Sequence, residues 1–149
     1  MKRSKRLNVV LSLYQQREDS AAEQVQVVQN QLRDQEVQLA QLVAYQEDYQ
    51  HSVKAKDGHH VAVSMAQWRR LQNYIEQLDG IIKQQEQHVN LLTADLERAE
   101  AVWHNLHLDR RSMETAIEAI VRDEQLTASR QEQKQLDEMI QQQRQRKIR

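Results

Sequence analysis

The fold is decided by residues 71–120, which read LQNYIEQLDGIIKQQEQHVNLLTADLERAEAVWHNLHLDRRSMETAIEAI. Fifteen core positions of one heptad frame run through this stretch, spaced alternately four and three residues apart, and only two of them are polar. These positions are Leu71, Ile75, Leu78, Ile82, Gln85, Val89, Leu92, Leu96, Ala99, Trp103, Leu106, Arg110, Met113, Ile117 and Ile120. Such spacing is typical of a long helix with one narrow apolar seam, and it predicts that the seam packs against another helix.

The composition supports long helices and excludes several other classes. Among 149 residues there are no Pro, Cys or Phe and only two Gly, while 29% of the residues are charged. Six aromatic residues cannot fill a thick core, so the chain belongs with long helices and coiled coils. The absence of Cys excludes disulfides, thiolate metal sites and a Cys nucleophile. No run of about 18 apolar residues occurs, so no membrane span is predicted.

The two ends of the chain are basic although the net charge is only −1. Residues 2–6 and 144–149 each contribute four basic residues, which are either solvated termini or a basic tip facing an acidic partner. A mildly apolar stretch follows at 7–14 and could be mistaken for the core of a signal peptide. However, Asn8 and Ser12 interrupt it, and the polar run at 15–19 stands where a cleavage site of small residues would be needed. We therefore expect a cytosolic protein without a signal peptide, and the balanced charge argues against nucleic-acid binding.

A second heptad frame precedes the first, and nine of its twelve positions are apolar. It consists of Leu11, Tyr14, Glu18, Ala21, Val25, Val28, Leu32, Gln35, Leu39, Leu42, Gln46 and Tyr49. Asp57-Gly58 is a turn signal, and Ser64-Met-Ala-Gln67 is a capping-box signature for a new helix. The sequence thus predicts a single coiled-coil domain over 1–149, with helix 1 over about 5–52, a loop over 53–64 and helix 2 over about 65–142.

The short connection favours an antiparallel two-helix hairpin, in which a positions of one helix face d positions of the other. The preferred pairing places Leu42 opposite Ile75 and Tyr14 opposite Trp103, with its midpoint at Gly58. A shift of one heptad in either direction keeps the same match, so the register stays open. The fold class predicted is all-α, a long antiparallel coiled-coil hairpin with an overhanging C-terminal helix.

An apolar strip of helix 2 continues beyond the predicted end of helix 1. It contains Met113, Ile117 and Ile120, after which the frame dissolves into Gln-rich sequence. An unpaired apolar strip on one helix needs a partner. The alternatives are that the N-terminal segment folds over the strip or that the tail frays.

Catalytic and metal-binding patterns are not predicted. His51, His59 and His60, or His104 and His107, lack further ligands at zinc spacing, and solvated histidines are the simpler interpretation. Gly-rich phosphate loops and nucleophile motifs do not occur in the sequence. Carboxylates on an exposed hairpin would not gain the desolvated pocket that acid–base catalysis requires. We expect a protein that is not an enzyme and has no cofactor or metal.

One edge of the predicted hairpin carries an unusual set of residues. In an antiparallel pair the g edges share one face, and here g and neighbouring d positions form a patch near the turn. Its members are Gln38, Leu42, Tyr45, Tyr49, Tyr74, Leu78, Ile81 and Gln85, with Tyr45 expected close to Tyr74. Coiled-coil g positions are usually Glu or Lys. Tyr is enriched at interfaces, so we interpret the patch as a binding face, although the rings could instead only shield the seam.

These residues resemble a known family. The run QLAQLVAYQEDY at 38–49, a short loop, and WRRLQNYIEQL at 68–78 are similar to the flagellar export protein FliJ, with a resemblance from about Leu11 to about Met139. The Tyr-Gln-x-x-Tyr run at 45–49, the Trp that opens helix 2 and the total length carry it more than the Gln and Leu matches do.

The resemblance implies a non-enzymatic stalk of the flagellar type III export apparatus. It implies that the end with both termini inserts in the export ATPase hexamer and that the hairpin side contacts the cytoplasmic domain of the membrane export gate. It also implies an escort role for export chaperones, and a cytoplasmic protein held at the inner membrane through partners, without insertion. The gate-binding positions that carry over are Gln38, Leu42, Tyr45, Tyr49, Tyr74, Leu78, Ile81 and Gln85. Ile81 and Gln85 match the family pattern more weakly than the other six residues. The end that faces the ATPase ring is matched only by region, and within it we infer the contact residues to be Met113, Ile117 and Ile120.

Two other functions stay open at this point. The chain could be the equivalent stalk of a virulence-type secretion system, or a generic scaffold that uses its seam to dimerise.

Overall fold

The computed structural model of the chain describes residues 2–58 and 64–148 and contains two long helices. Helix α1 spans Arg3–Gly58 and helix α2 spans Met65–Ile148. Gln, Glu, Leu, Ala, Lys and Arg dominate both helices, and these side chains lose little conformational freedom on helix formation. The two helices pack against each other, and the described residues contain no strand. The prediction of an all-α protein with two long helices is therefore confirmed.

Both helices are longer than predicted. Residues 53–58 belong to α1 rather than to the predicted loop, because Val53 continues the heptad frame seven residues after Gln46 and is only 7% exposed. Helix α2 continues to Ile148 instead of ending near 142. The positive charges of Arg146 and Lys147 in its last turn stabilise the helix because they lie at the negative end of its dipole. The predicted histidine pair His59-His60 lies outside the described residues.

The start of α2 uses the cap that the sequence predicts. The backbone N–H of Gln67 donates a hydrogen bond of 3.2 Å to Oγ of Ser64, and the N–H of Trp68 bonds to the Ser64 carbonyl. A side-chain oxygen at this position satisfies one of the free N–H groups of the first turn. The return bond from the Gln67 side chain, which would complete the capping box, does not occur in the described part of the chain.

The chain divides into two compact units, a division that the sequence does not predict. The terminal unit consists of Met1–Ser20 and His104–Arg149, and the central unit consists of Ala21–Trp103. Each unit contains a segment of α1 and a segment of α2, so each has its own interface between the two helices.

The buried residues of both units lie on the predicted seams. In the described chain the hydrophobic side chains at or below 9% exposure are Val28, Val53, Leu78, Ile82, Leu92 and Ile117. All six fall at a or d positions of the two frames. Burial of apolar area along these seams is the main force that holds the helices together.

Polar residues that interrupt the two seams contact each other in the central unit. The Nε2 group of Gln85 donates to the backbone carbonyl of Gln35 at 3.0 Å and to its side-chain oxygen at 2.8 Å. Nε2 of Gln46 donates to the carbonyl of Ile75 at 3.5 Å. A polar side chain in a seam favours the register in which its hydrogen bonds form. These contacts therefore explain why the frame tolerates Gln at these positions.

One contact in the central unit does not fit the preferred register. That register places Tyr49 opposite Trp68, whereas the rings of Tyr49 and Tyr74 are in contact. The contact fits the alternative that is shifted by one heptad and places Tyr49 opposite Ile75. Heptad spacing alone does not distinguish these two registers.

The terminal unit has an ionic contact in its seam. Glu18, which is 9% exposed, accepts a hydrogen bond from Nε of Arg110 and contacts Nδ1 of His107 at 2.8 Å. Nη1 of Arg110 also donates to Glu114 at 2.6 Å. Burial favours the neutral form of Glu18, but the hydrogen bonds and charges of His107 and Arg110 outweigh it, so the pKa of Glu18 is lowered. The charged pair thus satisfies two polar positions of the frames together.

Gly80 lies inside α2, where Gly costs about 1 kcal/mol relative to Ala. A Cβ atom added at Gly80 would meet nothing within 4 Å. We expect Gly80→Ala to raise the free energy of unfolding by about 0.5–1 kcal/mol, measured by chemical denaturation followed by circular dichroism. A lower stability would show that the added methyl group meets a contact that the free space around Gly80 does not reveal.

Candidate functional site

An aromatic cluster lies on the surface of the central unit. The ring centroids of Tyr49 on α1 and Tyr74 on α2 are 4.8 Å apart, and the ring planes are tilted by 57°. Tilted pairs at such distances are favourable, by about 0.5–1.5 kcal/mol beyond area burial. The contact holds two tyrosines from different helices in one fixed arrangement.

The g positions of the same unit carry exposed side chains. Tyr45 is 62% exposed, Ile81 47% and Tyr74 44%, and Gln38 is also exposed. Large apolar groups at g positions, exposed in this way, gain much by burial against a partner. We call the surface formed by Gln38, Tyr45, Tyr49, Tyr74 and Ile81 the tyrosine face.

The other three predicted gate-binding residues lie deeper. Leu78 is 7% exposed and belongs to the core, while Leu42 and Gln85 are half-buried. The amide of Gln85 is already engaged with Gln35. These residues are therefore less accessible to a partner than the tyrosine face, and a direct contribution to binding stays a prediction. The ring that contacts Tyr74 is that of Tyr49, and the expected proximity of Tyr45 to Tyr74 stays a prediction.

The apolar strip in the terminal unit is largely buried, so it is not an unpaired strip. Ile117 is only 6% exposed, and Met113 and Ile120 are half-buried. Helix α1 begins at Arg3, early enough for Ser4 to contact Glu124 on α2. The alternative in which the N-terminal segment folds over the strip is the one that the structure has. Binding of an ATPase ring by these three residues stays a prediction, which half-exposed Met113 and Ile120 fit better than Ile117 does.

Glu124 caps the N-terminus of α1 from the other helix. The backbone N–H of Ser4 donates to Oε1 of Glu124 at 3.2 Å, and Oγ of Ser4 donates to Oε2 at 2.8 Å. The first turn of α1 has no acidic residue of its own, so Glu124 supplies the negative charge that favours a helix N-terminus. The hydrogen bond from the Ser4 side chain is the main cause of the lowered pKa of Glu124. The sequence frame gave no indication of this contact.

Two carboxyl groups with lowered pKa values make the terminal unit sensitive to acid. Such a group stabilises the fold above its ordinary value of 4.5, and this contribution is lost as the pH falls through the lowered pKa. We expect the melting temperature to fall as the pH drops below about 4.5, measured by circular dichroism. Glu124→Gln should reduce this dependence, while Glu118→Gln, at an exposed position, should not. Equal pH profiles for both variants would contradict the role of Glu124.

The C-terminal part of α2 is exposed on all sides. Every described side chain from 125 to 148 is exposed, including Leu126 at 52%, Leu136 at 52%, Met139 at 58% and Ile140 at 42%. Leu136, Met139 and Ile140 are spaced three and four residues apart and share one side of the helix. We call residues 125–148 the C-terminal segment.

The described residues contain no arrangement for metal chemistry. Residues 2–58 and 64–148 have no group of three His, Asp or Glu side chains that could hold a metal ion. Across the same residues, neither helix is long and apolar enough to cross a membrane.

The two long packed helices define the class of all-α proteins built from long helices. Within that class, the chain belongs to the flagellar FliJ protein family, whose model matches residues 3–149. The family is a non-enzymatic component of flagellar protein export, so the chain is a component of this apparatus. No curated protein and no solved structure is significantly similar to the chain.

Proposed function

We propose that this chain is a stalk that couples the export ATPase ring to the membrane export gate of the flagellar export apparatus. The observation that carries the proposal is the tyrosine face, in which Tyr45, Tyr74 and Ile81 are exposed at g positions. A solvated coiled-coil edge has no need for such side chains, whereas a partner interface uses them as anchors. Membership of a flagellar family favours this role over the virulence-type alternative.

The proposed form of the stalk is an antiparallel coiled-coil hairpin with an overhanging C-terminal helix. Within the central unit, Tyr49 contacts Tyr74 while the earlier residue Gln35 contacts the later residue Gln85, which supports opposite helix directions. Within the terminal unit, Ser4 contacts Glu124, and α2 continues for 24 residues beyond Glu124 to Ile148. The exposed C-terminal segment supports the proposed overhang.

The tyrosine face is proposed to bind the cytoplasmic domain of the export gate. Its aromatic side chains are stiff and amphipathic, so a partner can bury them at low entropic cost. Leu42, Leu78 and Gln85 complete the proposed gate site as supporting residues. The site belongs entirely to the central unit.

The terminal unit is proposed to bind the export ATPase hexamer. The C-terminal segment, together with Met113, Ile117 and Ile120, forms the proposed contact region. The same proposal includes the escort of export chaperones. It also includes a cytoplasmic position at the inner membrane that depends on partners rather than on insertion.

Binding of the purified chain to the purified gate domain and to the purified ATPase, each measured by interferometry, tests the proposal. Absence of both interactions would reject it.

Truncation after Gln125 separates the two proposed sites. Removal of 126–149 keeps Glu124, and therefore the cap on Ser4, but deletes the exposed side chains of the C-terminal segment. We expect at least about tenfold weaker ATPase binding, since loss of a few anchor side chains costs more than 1.4 kcal/mol. Affinity for the gate domain should not change. Full stimulation of the ATPase by the truncated chain would contradict this assignment.

A further inference from the structure

The C-terminal segment carries a heptad frame that differs from the seam of α2. Its core positions are spaced alternately three and four residues apart, and they are Leu126, Ser129, Gln133, Leu136, Ile140 and Gln143. In the frame of the seam these residues occupy only c and f positions, on the side of the helix away from a and d positions such as Ile117. We call this set the C-terminal strip. It is a second seam, distinct from the one that packs against α1.

Helix α1 does not cover the C-terminal strip. Among the described residues, the last side chain of α2 that is not exposed is Glu124, which binds Ser4 in the first turn of α1. Beyond it, every described side chain is exposed, including Leu136 at 52% and Ile140 at 42%. A single helix of this length is only marginally stable in water unless its apolar side packs against another element. The segment therefore has the length and the free surface for a second helix.

Charge is divided unevenly along the C-terminal segment. Residues 126–138 contain three acidic and two basic residues, whereas residues 139–149 contain four basic residues and no acidic one. Two copies packed in parallel would place the four basic residues beside their own counterparts, which is repulsive. Two antiparallel copies place each basic stretch beside the half that contains the acidic residues. The charge pattern thus fits a second copy of the chain in the antiparallel direction.

We propose that two copies of this chain associate through their C-terminal strips, packed antiparallel about a two-fold axis. The pairing that places Leu136 opposite Ile140 of the second copy also places Gln133 opposite Gln143, where the two amides can hydrogen-bond. A two-fold contact is reciprocal, so each of these pairs forms twice. Residue 128 then faces residue 148. The pairing uses only 128–148, so the contact between Glu124 and α1 stays intact.

Side chains beside the strip fit the same arrangement. Met139, which is 58% exposed, lies beside Met139 of the second copy, so one edge of the pair buries two further apolar side chains. On the same edge Glu132 lies beside Arg146 of the second copy. Both side chains are exposed, and neither makes an ion pair within the described residues. Opposite charges at the edges of a coiled coil set partner choice and direction.

The dimer covers side chains that the proposed ATPase contact also uses. Leu136, Met139 and Ile140 become buried between the two copies, so the dimer and the ATPase-bound chain exclude each other. This exclusion rests on the proposed function, whereas the self-association does not. Excess ATPase should convert a fluorescently labelled dimer into complexes with one chain, measured by sedimentation velocity. A complex that contains the ATPase and the intact dimer would overturn the exclusion.

Sedimentation velocity of the full chain alone tests the self-association. We expect a reversible dimer with a dissociation constant on the order of 10–100 µM, because few apolar side chains are buried. Leu136→Gln should weaken the dimer at least about tenfold. Leu126→Gln is the matched control and should change the affinity less than about twofold. Both leucines are 52% exposed on the same strip, but Leu126 lies outside 128–148. Circular dichroism checks that each variant keeps its helicity.

Charge exchange tests the edge contact between the two copies. Arg146→Glu and Glu132→Arg should each weaken the dimer about two- to fivefold at low salt, because each places like charges side by side. The variant that carries both substitutions restores opposite charges and should recover most of the affinity. A double variant that binds more weakly than either single variant contradicts this pairing.

Engineered disulfides test the direction of the two helices. The chain contains no Cys, so Gln133→Cys and Gln143→Cys introduce the only thiols. An oxidised mixture of the two variants should give chiefly the mixed dimer. Each variant alone should cross-link little, since its two thiols are separated by about 15 Å along the helix axis. Efficient cross-linking of Gln133→Cys to itself would show parallel packing and overturn the proposal.

Two further results would overturn the self-association. One is a wild-type chain that stays monomeric at about 500 µM, well above the expected dissociation constant. The other is a chain truncated after Gln125 that dimerises as well as the wild-type chain, since the contact would then lie elsewhere. Neither result bears on binding of the gate domain or of the ATPase, so the proposed function stands or falls separately.

Discussion

Replacing Tyr45 and Tyr49 by Ala is expected to weaken binding to the export-gate domain by at least about tenfold while the helices stay intact. Truncation of a buried aromatic anchor at an interface typically costs about 2 kcal/mol or more, and each 1.4 kcal/mol is a factor of ten in affinity. Tyr45 is 62% exposed, so its ring contributes little to the fold of the free chain. Tyr49 contacts Tyr74, so its loss also removes one ring contact from the fold.

Single variants and a matched control separate binding from folding in this experiment. Tyr45→Ala should weaken binding with no change in melting temperature, and Tyr45→Phe should retain most of the affinity because the ring remains. Leu91→Ala removes an apolar side chain that is 64% exposed in the same unit and lies outside the tyrosine face, so it should bind like the wild-type chain. Interferometry with the purified gate domain gives the affinities. An unchanged affinity of the double variant would remove the tyrosine face from the gate site.

Ile117→Ala is expected to lower the free energy of unfolding of the terminal unit by about 2–4 kcal/mol. Ile117 is 6% exposed in the seam, and loss of three buried carbon atoms leaves a cavity that two helices cannot close fully. Hydrogen exchange measured by mass spectrometry should show faster exchange of the amides around 104–124, with the central unit less affected. Leu108→Ala, at a position that is 48% exposed in the same unit, should change stability by less than about 0.5 kcal/mol.

The same variant distinguishes packing from direct ATPase contact. If Ile117 acts through packing, ATPase binding should recover when temperature is lowered enough to restore full helicity. Full stability combined with lost ATPase binding would contradict the buried position of Ile117 in the free chain. Met113→Ala and Ile120→Ala, at half-exposed positions, provide the corresponding test of direct contact.

The sequence predicts the seam well because burial follows the heptad period. Val28, Leu78, Ile82, Leu92 and Ile117 are core positions of the frames and are buried in the structure. The tyrosine face also follows from the period, since g positions border the seam wherever the partner helix lies. The family resemblance stated from these residues is confirmed by the match over 3–149.

The sequence does not specify the register, because a shift of one heptad preserves every match between a and d positions. The ring contact between Tyr49 and Tyr74 and the hydrogen bond between Arg110 and Glu18 fit the shifted register better than the preferred one, but they depend on side-chain geometry. The cap of Ser4 by Glu124 joins residues 120 positions apart, so no local pattern reveals it. The sequence therefore leaves open whether the N-terminal segment covers the strip at Ile117.

Simultaneous binding of both partners tests the stalk most directly. The ATPase and the gate domain are mixed with the full chain, and the molar mass of the complexes is measured by size-exclusion chromatography with light scattering. We predict a ternary complex that loses only the gate domain with Tyr45→Ala and Tyr49→Ala, and only the ATPase with the truncation after Gln125. Mutually exclusive binding, in which the ATPase displaces the gate domain from the chain, would contradict the coupling role.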